Sequence, residues 1–210
     1  MRVEISGGGD ALPVSDGQIE THFETLGLSD VSEVTGYLQS AVAQIESYAG
    51  IAMIEKVATV TFDAWPNTMH RDDWHDGVRQ LPASHYQEFK RLQLPIGPHR
   101  ADQTFSVFTI DEDGDETQIP SDQFYIETGR FPVLRCKKSG SAASSIKGMR
   151  FKVVYGVGYG ASDAAVPADL RNAVLDQALR EYERRGDEDL NAGFSAHTMR
   201  IMKRYKRVRL

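Results

Sequence analysis

The chain has 210 residues, of which 40% are hydrophobic and 26% are charged, and its formal net charge is −6 at pH 7. This composition is ordinary for a globular protein, and the length is enough for one well-packed domain with an appendage. No apolar run approaches the roughly 20 residues of a membrane-spanning helix, and the opening residues lack the apolar core of a secretory signal. A single cysteine, Cys136, excludes an intrachain disulfide and fits a reducing compartment.

Two helices are predicted between about residues 15 and 50. Residues 1–12 are expected to form a loose lead-in. Ser15 and Gln18 have the spacing of a capping box, in which each side chain bonds to the backbone of the other residue, so a short helix should begin there. A longer helix should run from Asp30 to Gly50, because apolar residues recur between them at spacings of three and four.

The middle of the chain, about residues 56–155, has the pattern of a β-rich insert. Its apolar segments are short, rich in β-branched residues and separated by glycine, proline and aspartate. Residues 64–88 are polar and are expected to form a long loop. The predicted strands are Lys56–Phe62, Leu92–Leu94, Thr104–Ile110, Thr117–Ile119, Gln123–Glu127, Val133–Cys136 and Arg150–Tyr155.

A third helix is predicted over residues 167–185, and a short basic helix should follow from about Ser195. The segment from Phe194 to Leu210 has six Lys or Arg residues and no acidic residue, so the net charge of −6 leaves −12 for the residues before it. The order of elements predicts an α+β fold that is mainly a helical bundle. Two N-terminal helices and a C-terminal helix would form the bundle, with a small antiparallel β-region inserted between them and the basic helix as a C-terminal tail.

Three motifs suggest chemistry, and each has a plainer interpretation. Residues 156–161 read G-x-G-x-x-A, but the next helix waits until Pro167, so glycines that let a strand turn are the better interpretation. Residues 70–76 are rich in His and Asp without a zinc spacing, which favours a solvated loop. Residues 111–115 lack the glycine and glutamate positions of a calcium loop, so a hairpin tip is predicted. We expect no catalytic constellation, cofactor or metal.

The basic C-terminal segment leaves two binding interpretations open. Its six cations could contact nucleic-acid phosphates, or they could dock into an acidic groove on a protein. A frayed, solvated tail is the third alternative. Apolar residues interleave with the charges and favour the protein groove: Phe194, Met199, Ile201, Met202, Tyr205 and Val208.

Several short segments follow one another in a characteristic order along most of the chain. They are the helical opening from Pro13, the helix end at residues 45–50, the turn at residues 94–98, the hairpin at residues 111–118, and residues 155–160 leading into the helix that ends near Glu183. In this order they resemble the adaptor, or head–tail connector, proteins of long-tailed bacteriophages and of gene transfer agents. The polar residues 64–88 and the long basic tail depart from that pattern.

The resemblance implies a structural protein without catalytic activity, located in a virion or phage-like particle that assembles in the host cytoplasm. Copies, typically twelve, would form a ring that joins the portal to a stopper or tail-terminator protein. DNA would pass through the ring without sequence-specific binding, and no membrane would be involved. Residues 1–193 would be the adaptor domain and residues 194–210 the docking tail. The implied portal-docking residues are Phe194, Met199, Arg200, Met202, Lys203, Arg204, Tyr205 and Arg207. The alternative is a DNA-binding packaging accessory protein that grips DNA with this tail.

Overall fold

The computed structural model divides the chain into two units. It describes residues 1–8, 11–24, 31–63, 74–75, 78–79, 91–137, 150–185 and 193–206. Met1–Ser6 and Val57–Gly156 form a β unit, and Gly7–Lys56 and Val157–Leu210 form a helical unit. Within the described ranges, no helix is both long enough and apolar enough to cross a membrane.

The described residues form ten strands, β1 to β10, of which eight make up two main sheets and two form a separate pair. A five-stranded sheet has the order β1-β2-β10-β6-β7, a three-stranded sheet has the order β5-β9-β8, and β3 pairs with β4. The pairs β1/β2, β10/β6, β6/β7, β5/β9 and β8/β9 are all antiparallel. The bounds in chain order are Arg2–Ser6, Lys56–Phe62, Trp74–His75, Val78–Arg79, Arg91–Gln93, Phe105–Ile110, Glu116–Ile119, Phe124–Glu127, Val133–Cys136 and Arg150–Val157.

Alternation along β10 shows how the five-stranded sheet is built. Phe151, Val153 and Tyr155 are buried, whereas Lys152 between the first two is only half-buried. Successive side chains of a strand point to opposite faces, so one face of this sheet is the core of the β unit. The ring of Phe62 on β2 stacks on that of Phe151 with 4.9 Å between centroids. The seven predicted strands from Lys56 onward are confirmed with bounds that differ by at most two residues. The prediction that residues 64–88 form a loop is wrong at β3 and β4, which pair with each other within this range.

The helical unit contains α1 Asp16–Phe23, α2 Ser32–Ala49, α3 Ala168–Glu183 and α4 Ala196–Tyr205. Ser15 and Gln18 form the predicted capping box at the start of α1, in which the Ser15 N–H donates to Gln18 Oε1 at 3.2 Å. Gly50 ends α2 in the left-handed region at φ 67°, where glycine has no Cβ to clash. Both predicted helix boundaries are therefore confirmed at these residues.

Helices α2 and α3 bury facing apolar stripes. On each helix the buried residues recur at spacings of three and four, the period that places them on one side. Tyr37 of α2 meets Tyr182 of α3 edge to face, with 5.5 Å between centroids. The fully or almost fully buried residues of the two stripes are Val34, Leu38, Ala41, Ile45, Ala49, Leu170, Val174 and Ala178.

The end of α2 is tied to the segment after it by a buried carboxylate. Glu46 is only 9% exposed. Its Oε1 accepts from the Met53 N–H at 2.7 Å, and its Oε2 lies 2.6 Å from Lys56 Nζ. Both oxygens thus have partners, which offsets the cost of burying the charge.

The prediction of a mainly helical bundle with a small β insert is wrong. The described residues contain two antiparallel sheets with eight strands beside four helices, so the fold is a mixed α+β fold. Residues 2–6 are also not a lead-in, because they form β1 and pair with β2 from Arg2↔Thr61 to Ser6↔Val57. Strand pairing joins residues that are distant in the chain, so the local pattern of residues 2–6 did not reveal that they form a strand.

Candidate functional site

Helix α4 begins at a cluster of hydrogen bonds that anchors it to α3. Ser195 is the N-cap: its Oγ accepts from the Thr198 N–H at 2.9 Å. The hydroxyl groups of both residues donate to the same oxygen of Asp176 on α3, that of Thr198 at 2.8 Å. Thr198 is completely buried, so this cluster fixes the first turn of α4 within the helical unit.

The apolar side of α4 is part of the core of the helical unit. Ile201 and Met202 are 2% and 0% exposed. Phe194, Met199 and Tyr205 are partly buried against the same core. The ring of Phe194 meets that of Tyr48 on α2 edge to face at 5.4 Å between centroids. Burying these side chains stabilises α4 in place by the hydrophobic effect.

The C-terminal end of α4 is anchored at two further points. The Tyr205 hydroxyl donates to Asp169 Oδ1 at 2.6 Å, and Arg204 Nη2 lies 3.5 Å from Asp169 Oδ2. Lys206 Nζ lies 4.1 Å from the centroid of the Tyr48 ring, a cation–π contact. Anchors at both ends and along one side make the described part of α4 an integral helix of this unit.

The opposite side of α4 is exposed and basic. Arg200, Lys203 and Arg204 are exposed, and their spacing of three and four residues places them on one side of the helix. We call these three residues the basic face. Asp169 offsets part of the charge of Arg204, whose side chain remains 62% exposed. Such a face can attract carboxylates of an acidic protein surface or phosphates of nucleic acid.

The structure separates seven of the eight predicted docking residues into two groups. Met202 is buried, and Phe194, Met199 and Tyr205 are half-buried against their own unit. Arg200, Lys203 and Arg204 are exposed, while Arg207 lies outside the described residues. The described apolar anchors that were expected to enter a partner's groove therefore contact the chain's own helices, whereas Val208 lies outside the described residues. Docking itself stays a prediction.

Sequence reasoning missed the two carboxylates that hold α4. Asp169 and Asp176 lie on α3 and looked like ordinary polar positions of a helix. The spacing of Ser195 and Thr198 was a usable signal, because a serine three residues before a polar helical position is typical of an N-cap. The spacing does not predict that both hydroxyl groups donate to Asp176, because that contact depends on how α4 packs against α3.

The three sequence motifs that suggested chemistry lie elsewhere in the chain. Gly158 has φ +113°, and a Cβ there would lie 2.5 Å from the Ile54 carbonyl oxygen, so only glycine fits without strain. Strands β6 and β7 pair as the predicted hairpin, with the Asp115 N–H bonded to Asp111 Oδ1 at 2.7 Å across its turn. Residues 70–76 lie outside the described residues except for Trp74 and His75. Within the described part, no three His, Cys, Asp or Glu side chains are grouped as a metal would need.

No protein-family model and no curated protein matches the sequence. The fold, however, matches solved structures of gene transfer agent (GTA) particles. A chain of the virion of a native GTA particle superposes with a TM-score of 0.71 at 22% identity, covering 100% of this chain and 97% of that chain. Chains of the neck of a native particle, computed with C12 symmetry, and of the neck of an empty particle, computed with C6 symmetry, give TM-scores of 0.69 and 0.68 with the same identity and coverage. The chain thus shares, over its whole length, the fold of proteins found in these particles.

Proposed function

We propose that the protein is a structural adaptor of a phage or gene-transfer-agent head–tail connector. Copies form a ring, typically of twelve, which joins the portal to the stopper or tail and lets DNA pass. The observation that carries this proposal is the match of the complete fold to chains of GTA virion and neck structures, one with twelvefold symmetry. A ring needs one heterologous interface that is repeated until it closes, and no catalytic site is required.

The portal-docking surface in this proposal is the basic face of α4, continued by the basic residues that follow it. Arg200, Lys203 and Arg204 are presented by a helix whose start and end are both hydrogen-bonded to α3. Because α4 is held in place before binding, less conformational entropy is lost when the partner binds, and a few charges are enough to orient the partner. The partner surface is accordingly acidic.

The charge distribution also suits a channel for DNA. With the basic tail set aside, the remaining residues carry a net charge of −12. Like charges oppose phosphate contact, so an acidic surface around the channel lets DNA slide without being held.

Charge reversal on the basic face tests the docking proposal. We expect Arg200→Glu/Lys203→Glu to weaken binding to the portal ring of the same particle by about tenfold or more, because attraction becomes repulsion at two positions. The matched control, Arg91→Glu/Lys137→Glu, reverses two exposed cations of the β unit and should bind as the unmodified protein does. Binding is measured by co-sedimentation with purified portal rings at fixed ionic strength. Equal binding by both variants would refute docking through this face.

The exposed basic face also supports a second candidate function, that of a DNA-binding packaging accessory protein. Phosphate contacts by Arg200, Lys203 and Arg204 would give binding to duplex DNA that falls steeply as salt is raised. A fluorescence titration with a random-sequence duplex at several salt concentrations separates the two functions. Salt-dependent binding to DNA, lost in Arg200→Glu/Lys203→Glu and accompanied by no binding to portal rings, would favour the accessory function.

A further inference from the structure

Strand β1 is an edge strand whose side chains are all exposed. It is hydrogen-bonded to β2 along one edge, and the described residues place no strand along its other edge. An edge of this kind presents backbone N–H and C=O groups that a further strand can pair with. The outer edge of β1 can therefore pair with a strand of another molecule.

The apolar residues of β1 continue the buried face of the sheet. Val3 lies opposite Val60 and Ile5 opposite Ala58, both of which are fully buried. Yet Val3 is 37% exposed and Ile5 is 44% exposed, and Met1, two residues before Val3 on the same face, is 63% exposed. The core face of the sheet thus ends in a row of uncovered apolar side chains.

The opposite face of β1 carries one positive and one negative charge. Arg2 and Glu4 lie opposite Thr61 and Thr59, on the solvent side of the sheet. Their side chains are 80% and 55% exposed and form an ion pair at 2.6 Å within the strand. From residue 1 to residue 5 the strand therefore reads apolar, positive, apolar, negative, apolar.

We infer that β1 pairs antiparallel with β1 of a second copy of this chain, with Val3 opposite Val3 of that copy. In this register Met1 lies opposite Ile5, and Arg2 lies opposite Glu4, on both sides of the two-fold axis. All apolar side chains then meet on the core face and both opposite-charge pairs form on the solvent face. Cross-strand pairs of these two kinds are the units that stabilise a sheet.

Other antiparallel registers of β1 with itself are unfavourable. A shift by one residue places Arg2 opposite Ile5, and the apolar side chains of the two copies then belong to opposite faces. A shift by two residues places Glu4 opposite Glu4 or, in the other direction, Arg2 opposite Arg2. Like charges directly opposite each other are destabilising, so the sequence of β1 selects the register centred on Val3.

This pairing does not depend on the proposed adaptor function. It is an isologous contact, which closes after two copies, whereas a ring uses a heterologous contact. Failure of the pairing would leave the docking surface on α4 untouched, and failure of portal docking would leave the β1 contact untouched. The two proposals therefore have separate tests.

Reversal and exchange of the two charges test the pairing. The unmodified protein should sediment as a dimer of about twice the 23.4 kDa chain mass and dissociate on dilution. We expect Arg2→Glu or Glu4→Arg alone to raise the dissociation constant by roughly tenfold, since each creates two like-charge pairs, and the double exchange Arg2→Glu/Glu4→Arg to restore it. Glu33→Arg makes the same charge change as Glu4→Arg, but on a helix of the other unit, and should leave the constant unchanged. A monomer at every concentration, or a double exchange that stays as weak as the single changes, would overturn the inference.

Crosslinking tests the register independently. Val3→Cys places two thiols directly opposite each other, within the range of a disulfide, so mild oxidation should give a covalent dimer. In the matched variant Ile5→Cys the two thiols are separated by four residue steps, about 14 Å along the strand, and should not react. Cys136 is buried, and the unmodified protein reports any crosslink through it. A covalent dimer from Ile5→Cys but not from Val3→Cys would show that the proposed register is wrong.

Discussion

Replacing one buried methionine of α4 tests whether this helix belongs to the folded helical unit. Met202 is 0% exposed and packs into the core shared with α2 and α3. Met202→Ala removes three heavy atoms of the side chain and leaves a cavity, changes that cost about 2–5 kcal/mol at buried sites. Alanine has a slightly higher helix propensity, which returns only a few tenths of a kcal/mol. We therefore expect the free energy of unfolding of the helical unit to fall by about 2–4 kcal/mol.

The matched control is the next residue along the helix. Lys203 is exposed, so Lys203→Ala should change the free energy of unfolding by no more than about 0.5 kcal/mol. Urea unfolding followed by far-ultraviolet circular dichroism reports mainly the helices. Tryptophan fluorescence reports the other unit, because both tryptophans, Trp65 and Trp74, belong to the sequence of the β unit.

The comparison of the two variants decides the outcome. A loss of stability seen by circular dichroism in Met202→Ala and absent in Lys203→Ala is the expected result. If Met202→Ala unfolds within about 0.5 kcal/mol of the unmodified protein, α4 contributes little to the core, and its anchoring to α3 has been overestimated.

Two further predictions concern buried and exposed carboxylates. Glu46→Ala should lower the free energy of unfolding by about 2–4 kcal/mol, because it leaves Lys56 and the Met53 N–H without their partner. The control variant Glu46→Gln keeps an acceptor and should lower the free energy of unfolding by less in the same urea titration. The N-terminal amine, which donates to Asp63 at 3.1 Å, lowers the pKa of that exposed carboxyl by its hydrogen bond and then by its charge. The small stability that Asp63 contributes should therefore be present above its unfolded pKa and be lost as the pH falls through the lower folded pKa. An NMR titration should show its midpoint rising when the amine is acetylated, and no change on acetylation would contradict this cause.

The helices could be predicted from the sequence because their signals are local. The apolar residues of α2 from Val34 to Ile45 repeat with the helical period, and Gly50 ends the pattern. Such signals depend on neighbours three or four residues away, and they operate wherever the helix finally packs. The same holds for the hairpin tip at residues 111–115, whose turn is closed by its own side chain.

The first strand of the β unit could not be predicted in the same way. Strand β1 is five residues long, and its partner β2 begins about fifty residues later in the chain. The alternation of Val3 and Ile5 with Arg2 and Glu4 is a strand pattern, but it is too short to distinguish from an irregular terminus. Only the register with β2 reveals that these residues extend the five-stranded sheet.

The amphipathic pattern of α4 does not show which surface its apolar side contacts. Met199, Ile201 and Met202 alternate with Arg200 and Lys203 in a way that predicts a helix with one apolar side. The pattern is the same whether that side packs against the helix's own unit or against a partner. The decisive feature is the cluster around Asp176, which holds the first turn of α4 and directs its apolar side inward.

This orientation changes how the basic face would contribute to docking. Because Ile201 and Met202 are already buried, little apolar area on α4 is left for a partner, so in the proposed docking the attraction would come mainly from Arg200, Lys203 and Arg204. Exposed charges add modest affinity but increase the rate of encounter and select a partner of opposite sign. In a ring of identical subunits each copy presents the same face, so weak contacts repeated around the ring would sum to a firm attachment through avidity. A docking helix in such an assembly can therefore keep its apolar side for its own fold.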